Sequence, residues 1–229
     1  MHDDIARLVA GLLTSLWATA MAASGNPTLP DAVVPDAYRI AVTPHAAQAR
    51  FEGRVEIDVQ VRRRTDRIVL DSADLAIAGA RLDAERAAPR IVIDAARQRA
   101  TFRFAHPLAL GRHTLHIAYS GKIQDQAAGL FRLKHTTPAG EATSLFTMFE
   151  DSDARRFVPS WDEPARRATF ELTATVPAEL MAVGNMPVAS SETLPGHRKR
   201  VRFATTPRMS TYLLFFGLGD CERVHRDVA

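Results

Sequence analysis

The densest run of groups able to do chemistry lies between Thr147 and Phe170, in the stretch TMFEDSDARRFVPSWDEPARRATF. Glu150, Asp151, Asp153, Arg155 and Arg156 fall within seven residues, and Asp162-Glu163-Pro164 follows directly on Trp161. One of these carboxylates could hold a cation if it faced a cleft. The same residues also fit a plainer role, an ion-paired connection closed by a proline-locked turn. Metal chemistry needs other residues. Of the eight histidines only His113 and His116 lie close, and residues three apart on a strand point to opposite faces. The zinc signature H-E-x-x-H, which sets two imidazoles on one helix face beside a glutamate, does not occur. Neither does a C-x-x-C pair, a G-x-S-x-G elbow or a phosphate-binding glycine loop. Cys221 is the only cysteine, so no disulfide forms within the chain. Its place near the end of an apolar run suggests a small buried hydrophobe.

The elements that must carry these groups read as strands. Val55, Ile57, Val59 and Val61 alternate with Glu56, Asp58, Gln60 and Arg62, a period of two with one face buried and one wet. Phe102 and Phe104, then Leu115, Ile117 and Tyr119, repeat the pattern, as do Phe170, Leu172, Ala174 and Val176, and Val201 with Phe203. Tyr212 to Leu218 is nearly continuous in apolar residues, as in a strand buried on both faces. Turn signals separate the runs at Ala78-Gly79, Asp94 to Arg99, Leu110-Gly111, Ser120-Gly121, Pro138-Ala139-Gly140 and Leu194-Pro195-Gly196. Asp151 to Trp161 has room for one short helical turn. With 46% hydrophobic residues the chain can build a core. Many short strands at this spacing predict an all-β fold, an antiparallel sandwich or a curved sheet.

The formal charge of +3 and pI near 9.4 raise the question of nucleic acid. The basic clusters Arg62-Arg63-Arg64 and His197-Arg198-Lys199-Arg200 are short, and neither is interleaved with aromatics. They read as solvated hairpin ends, and no nucleic-acid partner is expected. Leu8 to Ala18 is an apolar run of eleven residues followed by Ala18-Thr19-Ala20 and Ala20-Met21-Ala22, which suits an export signal over residues 1–22. It is too short to span a bilayer. Asp3 and Asp4 offset Arg7, so an amphipathic surface helix is the alternative. No other segment has the length and apolarity of a membrane span. The expectation is an exported protein, periplasmic or secreted, with its domain over residues 23–229.

The polar stretch resembles the aminopeptidase N family of gluzincin zinc metallopeptidases, in which T-Q-F-E-P-x-D-A-R-R-x-F-P-C-[FW]-D-E-P-A-x-K-A-x-F is typical. This chain has Thr147, Phe149, Glu150, Asp153, Ala154, Arg155, Arg156, Pro159, Trp161, Asp162, Glu163, Pro164, Ala165, Ala168 and Phe170 in register. Leu29-Pro30, Pro35, Tyr38, Phe51-Glu52-Gly53 and the Val55–Val61 strand resemble the family's opening strands. Thr206 to Leu214 resembles the T-P-x-M-S-T-Y-L-x strand that closes its N-terminal domain. The resemblance spans about residues 29–228.

What the resemblance implies is a saddle-like β domain that packs on a thermolysin-like catalytic domain and walls its active site. By it, Glu150 corresponds to the acidic residue that binds the free α-amine of a peptide N-terminus, a charge-assisted contact. Met148 stands where glutamine usually lines the pocket for the first side chain, making that wall more apolar. Val158 and Ser160 replace the common Phe and Cys as packing changes. The family's G-A-M-E-N loop and zinc site follow this domain, and the expectation is that this chain lacks the catalytic zinc domain. It would then hold no cofactor itself, zinc being implied for the complete family member. Its partners would be a peptide N-terminus and a catalytic domain in cis or in trans, and alone it would be inactive. The other reading is a free-standing, non-catalytic β domain binding a peptide or protein. A broad exposed apolar face would favour the first, a charged one the second.

Overall fold

A computed structural model describes residues 28–84, 87–137 and 140–221. The apolar run at Leu8–Ala18 and the cleavage patterns after it lie outside the described residues. In chain order the strands are β1 (Val33–His45), β2 (Arg50–Val61), β3 (Arg67–Asp71), β4 (Ala76–Leu82), β5 (Arg90–Asp94), β6 (Arg99–Arg103) and β7 (Gly111–Lys122). There follow β8 (Gly129–Thr137), β9 (Gly140–Met148), β10 (Thr169–Pro177), β11 (Met181–Gly184), β12 (Val188–Leu194), β13 (Arg198–Phe203) and β14 (Phe216–Gly219). They form three sheets, ordered β12-β13-β10-β1-β2-β7-β4, β11-β14-β9-β8 and β3-β6-β5. The all-β expectation therefore holds, but the sheets are not purely antiparallel.

β1 and β10 pair in parallel, with Tyr38 opposite Phe170 and Ile40 opposite Leu172. Parallel neighbours need a long crossover, and the chain between them supplies one: it builds the three-stranded sheet and half of the four-stranded one before returning. The Tyr38 and Phe170 rings stack at 4.8 Å across this seam. The alternating runs bury the side expected of them. Val55, Ile57, Val59 and Val61 of β2 face Leu115 and Ile117 of β7 and the β10 row from Phe170 to Val176 in one core. Each such side chain contributes about 1.5–3 kcal/mol on leaving water.

Two turn signals proved to lie inside strands. Ser120-Gly121 sits within β7, and Gly121 is small because Phe51 lies across it: a Cβ there would come 2.5 Å from Phe51 Cζ. Two pairs further along, Tyr119 covers Gly53 in the same way, at 2.3 Å from Cζ. Aromatic rings thus roof the glycines of the adjacent strand, a device that closes gaps in a sheet. Ala78-Gly79 lies within β4, where the register to β7 slips between Ile77 and Gly79. The glycine marks a bulge rather than a reversal. Gly196, by contrast, sits at φ +76 in the β12–β13 hairpin as its turn requires.

The run from Tyr212 to Leu218 is split. Thr211–Leu213 is a single 3-10 turn, and only Phe216–Gly219 is a strand, buried throughout. The segment resembling a closing strand, Thr206 to Leu214, makes one isolated bridge, Met209 to Ala168, in place of a ladder. Its side chains explain why: Thr206 Oγ1 accepts from Phe170 N–H at 3.0 Å and Thr211 Oγ1 donates to Trp161 O at 3.0 Å, so hydroxyls take over backbone partners. Cys221, expected to be buried, is exposed because it lies beyond β14, past the last strand of that sheet.

Candidate functional site

β9, flanked by β14 and β8, delivers the segment of interest at its C-terminal end. Strand alternation places Met148 outward, 44% exposed, Phe149 inward, 2% exposed, and Glu150 outward again. Phe149 is the anchor. Its ring lies 5.4 Å from that of Phe157, which in turn lies 5.5 Å from Phe51 of β2. The chain reverses after Glu150 through a cis Glu150–Asp151 peptide, and Asp153 N–H donates to Phe149 O at 2.9 Å. Ala154–Arg156 forms the short 3-10 turn expected there. Arg156 ties this turn down by donating to Asp153 at 2.7 Å and pairing with Asp74. Glu150 has no hydrogen-bond or ion-pair partner among the described residues, which leaves its carboxylate open to a cation.

Behind this segment is a buried ionic cluster. Arg155, 6% exposed, donates from Nε to Asp162 Oδ2 at 2.9 Å and from Nη2 to Asp162 O at 3.3 Å. Its backbone N–H reaches the same carboxylate at 3.2 Å. Asp71, at the end of β3, lies 3.7 Å from Arg155 Nη1, and its Oδ2 accepts from Asp162 N–H at 3.2 Å. Asp71 and Ser160 exchange backbone hydrogen bonds at 2.8 and 3.1 Å. Burial pushes the Asp71 carboxyl up to about 6 against the opposing pull of Arg155, and it also raises Asp162. A second tie comes from Tyr38, whose hydroxyl oxygen accepts from Trp161 N–H at 3.1 Å inside the core. The plainer reading of the polar stretch is thus correct for Arg155 and Asp162: they close the connection. Asp71 was missed because it sits 91 residues from Asp162, and no local pattern marks it.

The outer face of the four-stranded sheet is largely apolar, with Ser144 and His135 also lying on it. Residues opposite each other in register share a face, so Val183, Gly217, Phe146 and Phe131 form one row across β11, β14, β9 and β8. Met181 lies beside this row, and Leu133 and Met148 are 50% and 44% exposed. The opposite row, Ala182, Leu218 and Leu145, is buried in the core. A β-sheet face that is apolar on both sides is covered on both sides in a finished assembly. Glu150 and Met148 stand at its rim.

The described histidines do not converge on one another. His113 pairs with Asp83 at 2.6 Å and His116 with Glu56 at 3.3 Å, on opposite faces of β7. Among the described residues no three His, Cys, Asp or Glu side chains converge as metal ligands. The clusters Arg62 to Arg64 and His197 to Arg200 lie on exposed strand ends, and Arg200 pairs with Glu192 of β12 at 3.0 Å. No helix among the described residues is long and apolar enough to cross a membrane.

The model of the Peptidase M1 N-terminal domain matches residues 34–213. Aminopeptidase N of Acetobacter pasteurianus is 45% identical over 197 residues, covering 86% of this chain and 55% of the relative. Aminopeptidase 2 of Candida albicans is 33% identical over 200 residues, covering 87% of this chain and 22% of the relative. A puromycin-sensitive aminopeptidase of Caenorhabditis elegans is 32% identical over 218 residues, 89% of this chain and 23% of its own length. The chain spans about half the length of the first of these and under a quarter of the others.

Proposed function

The chain belongs to the family of the Peptidase M1 N-terminal domain, and from that premise we propose that it is the substrate-facing wall of an exported zinc metalloaminopeptidase. The activity is removal of neutral or basic N-terminal residues from peptides. The observation that carries this reading is the apolar outer face of the β11-β14-β9-β8 sheet, with an unpartnered carboxylate at its rim. A domain made to stand alone in water would keep that face polar. The named relatives are aminopeptidases much longer than the segment they share with this chain, so the occupant of the face is a catalytic domain in cis.

In this reading Glu150 receives the α-ammonium group of the peptide. Docking of the catalytic domain removes water around it, and the contact strengthens as the local dielectric falls. The carboxylate then acts as a ruler: it fixes the distance from the N-terminus to the scissile bond and allows one residue to be removed at a time. Met148 lines the first side-chain pocket with a flexible thioether, which favours apolar side chains over those needing an amide partner. Zinc would supply metal-assisted hydrolysis in the complete enzyme, but the side chains described here do not fit it and no step is assigned to it in this chain. Two measurements on material from the native source test this reading. An antibody to this domain should detect a product several times heavier than 25.1 kDa, and that product should cleave aminoacyl substrates while this chain alone does not. A native product of about this size with no peptidase partner would favour a free-standing binding module.

A further inference from the structure

Glu150 stands on a segment with few contacts of its own. Phe149 fixes its N-terminal side through the Phe149–Phe157 ring contact. On the other side, the chain from Ser152 to Trp161 has little regular structure, and the buried Arg155 is the side chain that ties it to the most elements. That side chain reaches three separate pieces of the fold. It closes the loop on Asp162, it approaches Asp71 at the end of β3, and it donates from Nη1 to Gln98 Oε1 at 3.4 Å in the β5–β6 turn. The Arg155 carbonyl accepts from Ala73 N–H at 2.9 Å, just past Asp71. The three-stranded sheet is therefore joined to the loop through the guanidinium and carbonyl of Arg155 as well as the Asp71–Ser160 backbone pair, while the four-stranded sheet supplies Glu150 itself.

We propose that Arg155 and Asp71 are positioning residues for amine recognition: they hold the Glu150 segment where its carboxylate meets the substrate α-ammonium. This rests on the reading of Glu150 given above. The physical reason for an ion pair rather than packing is directional. A planar guanidinium with five donors fixes angles as well as distances between the elements it joins. Buried ion pairs add little net stability over apolar packing, so what this one supplies is geometry. A displacement of about 1 Å at a recognition group is enough to lower turnover efficiency strongly.

The test uses the full-length gene product and steady-state hydrolysis of an aminoacyl substrate with a free α-amine. The variants are Glu150→Gln, Arg155→Ala, Arg155→Lys, Asp71→Asn and the double variant Glu150→Gln/Arg155→Ala. We expect Arg155→Ala to raise KM by about ten-fold with kcat within about two-fold, a loss of ground-state and transition-state binding alike. Lysine should recover part of the loss. The double variant should be no worse than Glu150→Gln alone, because once the ligand is gone its placement no longer matters. If instead the two effects multiply, or kcat falls in step with the folded fraction, Arg155 is merely structural and the proposal fails. Should Arg155→Ala not fold, Asp71→Asn carries the same criteria, since its carboxamide oxygen can still accept from Asp162 N–H. A Glu150→Gln enzyme with unchanged KM would overturn the amine-binding reading and the positioning proposal together.

Discussion

Two tyrosines in the same core should respond in opposite directions to the same edit. Tyr38 and Tyr119 are 1% and 3% exposed, and burial raises the phenol pKa of both above its ordinary value. The Tyr38 oxygen accepts from Trp161 N–H at 3.1 Å, whereas the Tyr119 hydroxyl has no partner among the described residues. Tyr38→Phe keeps the ring that stacks on Phe170 but strands a buried backbone N–H. Such a group costs about 1–3 kcal/mol when left unsatisfied. Tyr119→Phe removes a hydroxyl that already bears this cost, and the ring still covers Gly53. It should be neutral or stabilising by about 1 kcal/mol. At about 2–4 °C per kcal/mol for a domain of this size, thermal unfolding followed by circular dichroism should separate the two variants by several degrees, with wild type between them. Equal destabilisation by both would refute the assignment of hydrogen-bond roles in this core.

Other outcomes follow from the same structure. Gly53→Val should destabilise the chain by about 3 kcal/mol, because a Cβ there meets the buried Tyr119 ring at 2.3 Å from Cζ; urea unfolding reads this directly. Asp71 has a carboxyl raised from 3.8 to about 6, so the folded chain binds its proton more tightly than the unfolded chain does. Its contribution is favourable when protonated and is lost as pH rises through about 6; at about 1.4 kcal/mol per unit the span is roughly 3 kcal/mol. Asp162 shifts in the same direction. Asp71→Asn should therefore flatten the stability change between about pH 4 and 6, and an unchanged slope there would count against the buried cluster. On the outer sheet face, Leu133→Lys should leave the isolated chain's stability within about 0.5 kcal/mol, since Leu133 is 50% exposed, yet lower the activity of the full-length product. No effect on either would mean that this face is not an interface.

The strands were largely legible because one wet face and one dry face impose a period of two, as in Val55 to Val61. That period is silent about direction: β10 reads the same whether its neighbour runs parallel or antiparallel, and the crossover that decides it is more than a hundred residues long. Glycines misled where they served packing. Gly121 looks like a turn until Phe51 is seen above it. The apolar run from Tyr212 was broken by hydroxyls of Thr206, Ser210 and Thr211 that bond to backbone atoms of distant segments. For the site, the resemblance singled out Glu150 and Met148, and alternation about Phe149 explains why both face outward. The groups that hold them were partly hidden. Arg155 and Asp162 lie in the conspicuous stretch, but Asp71, Gln98 and Tyr38 reach it only through the fold. The four-stranded sheet, β11-β14-β9-β8, carries apolar residues on both faces, and only the register reveals that one of these faces remains uncovered.

The most direct test of the central claim is kinetic: kcat/KM of the full-length product and its Glu150→Ala variant on a dipeptide with a free N-terminus. Its N-acetylated counterpart serves as the reference. The account predicts that the wild type prefers the free amine strongly, and that Glu150→Ala loses about 2–5 kcal/mol of that preference, as expected for one partner removed from a desolvated charge pair. An unchanged preference in the variant would contradict the claim that this domain reads the peptide amine through Glu150.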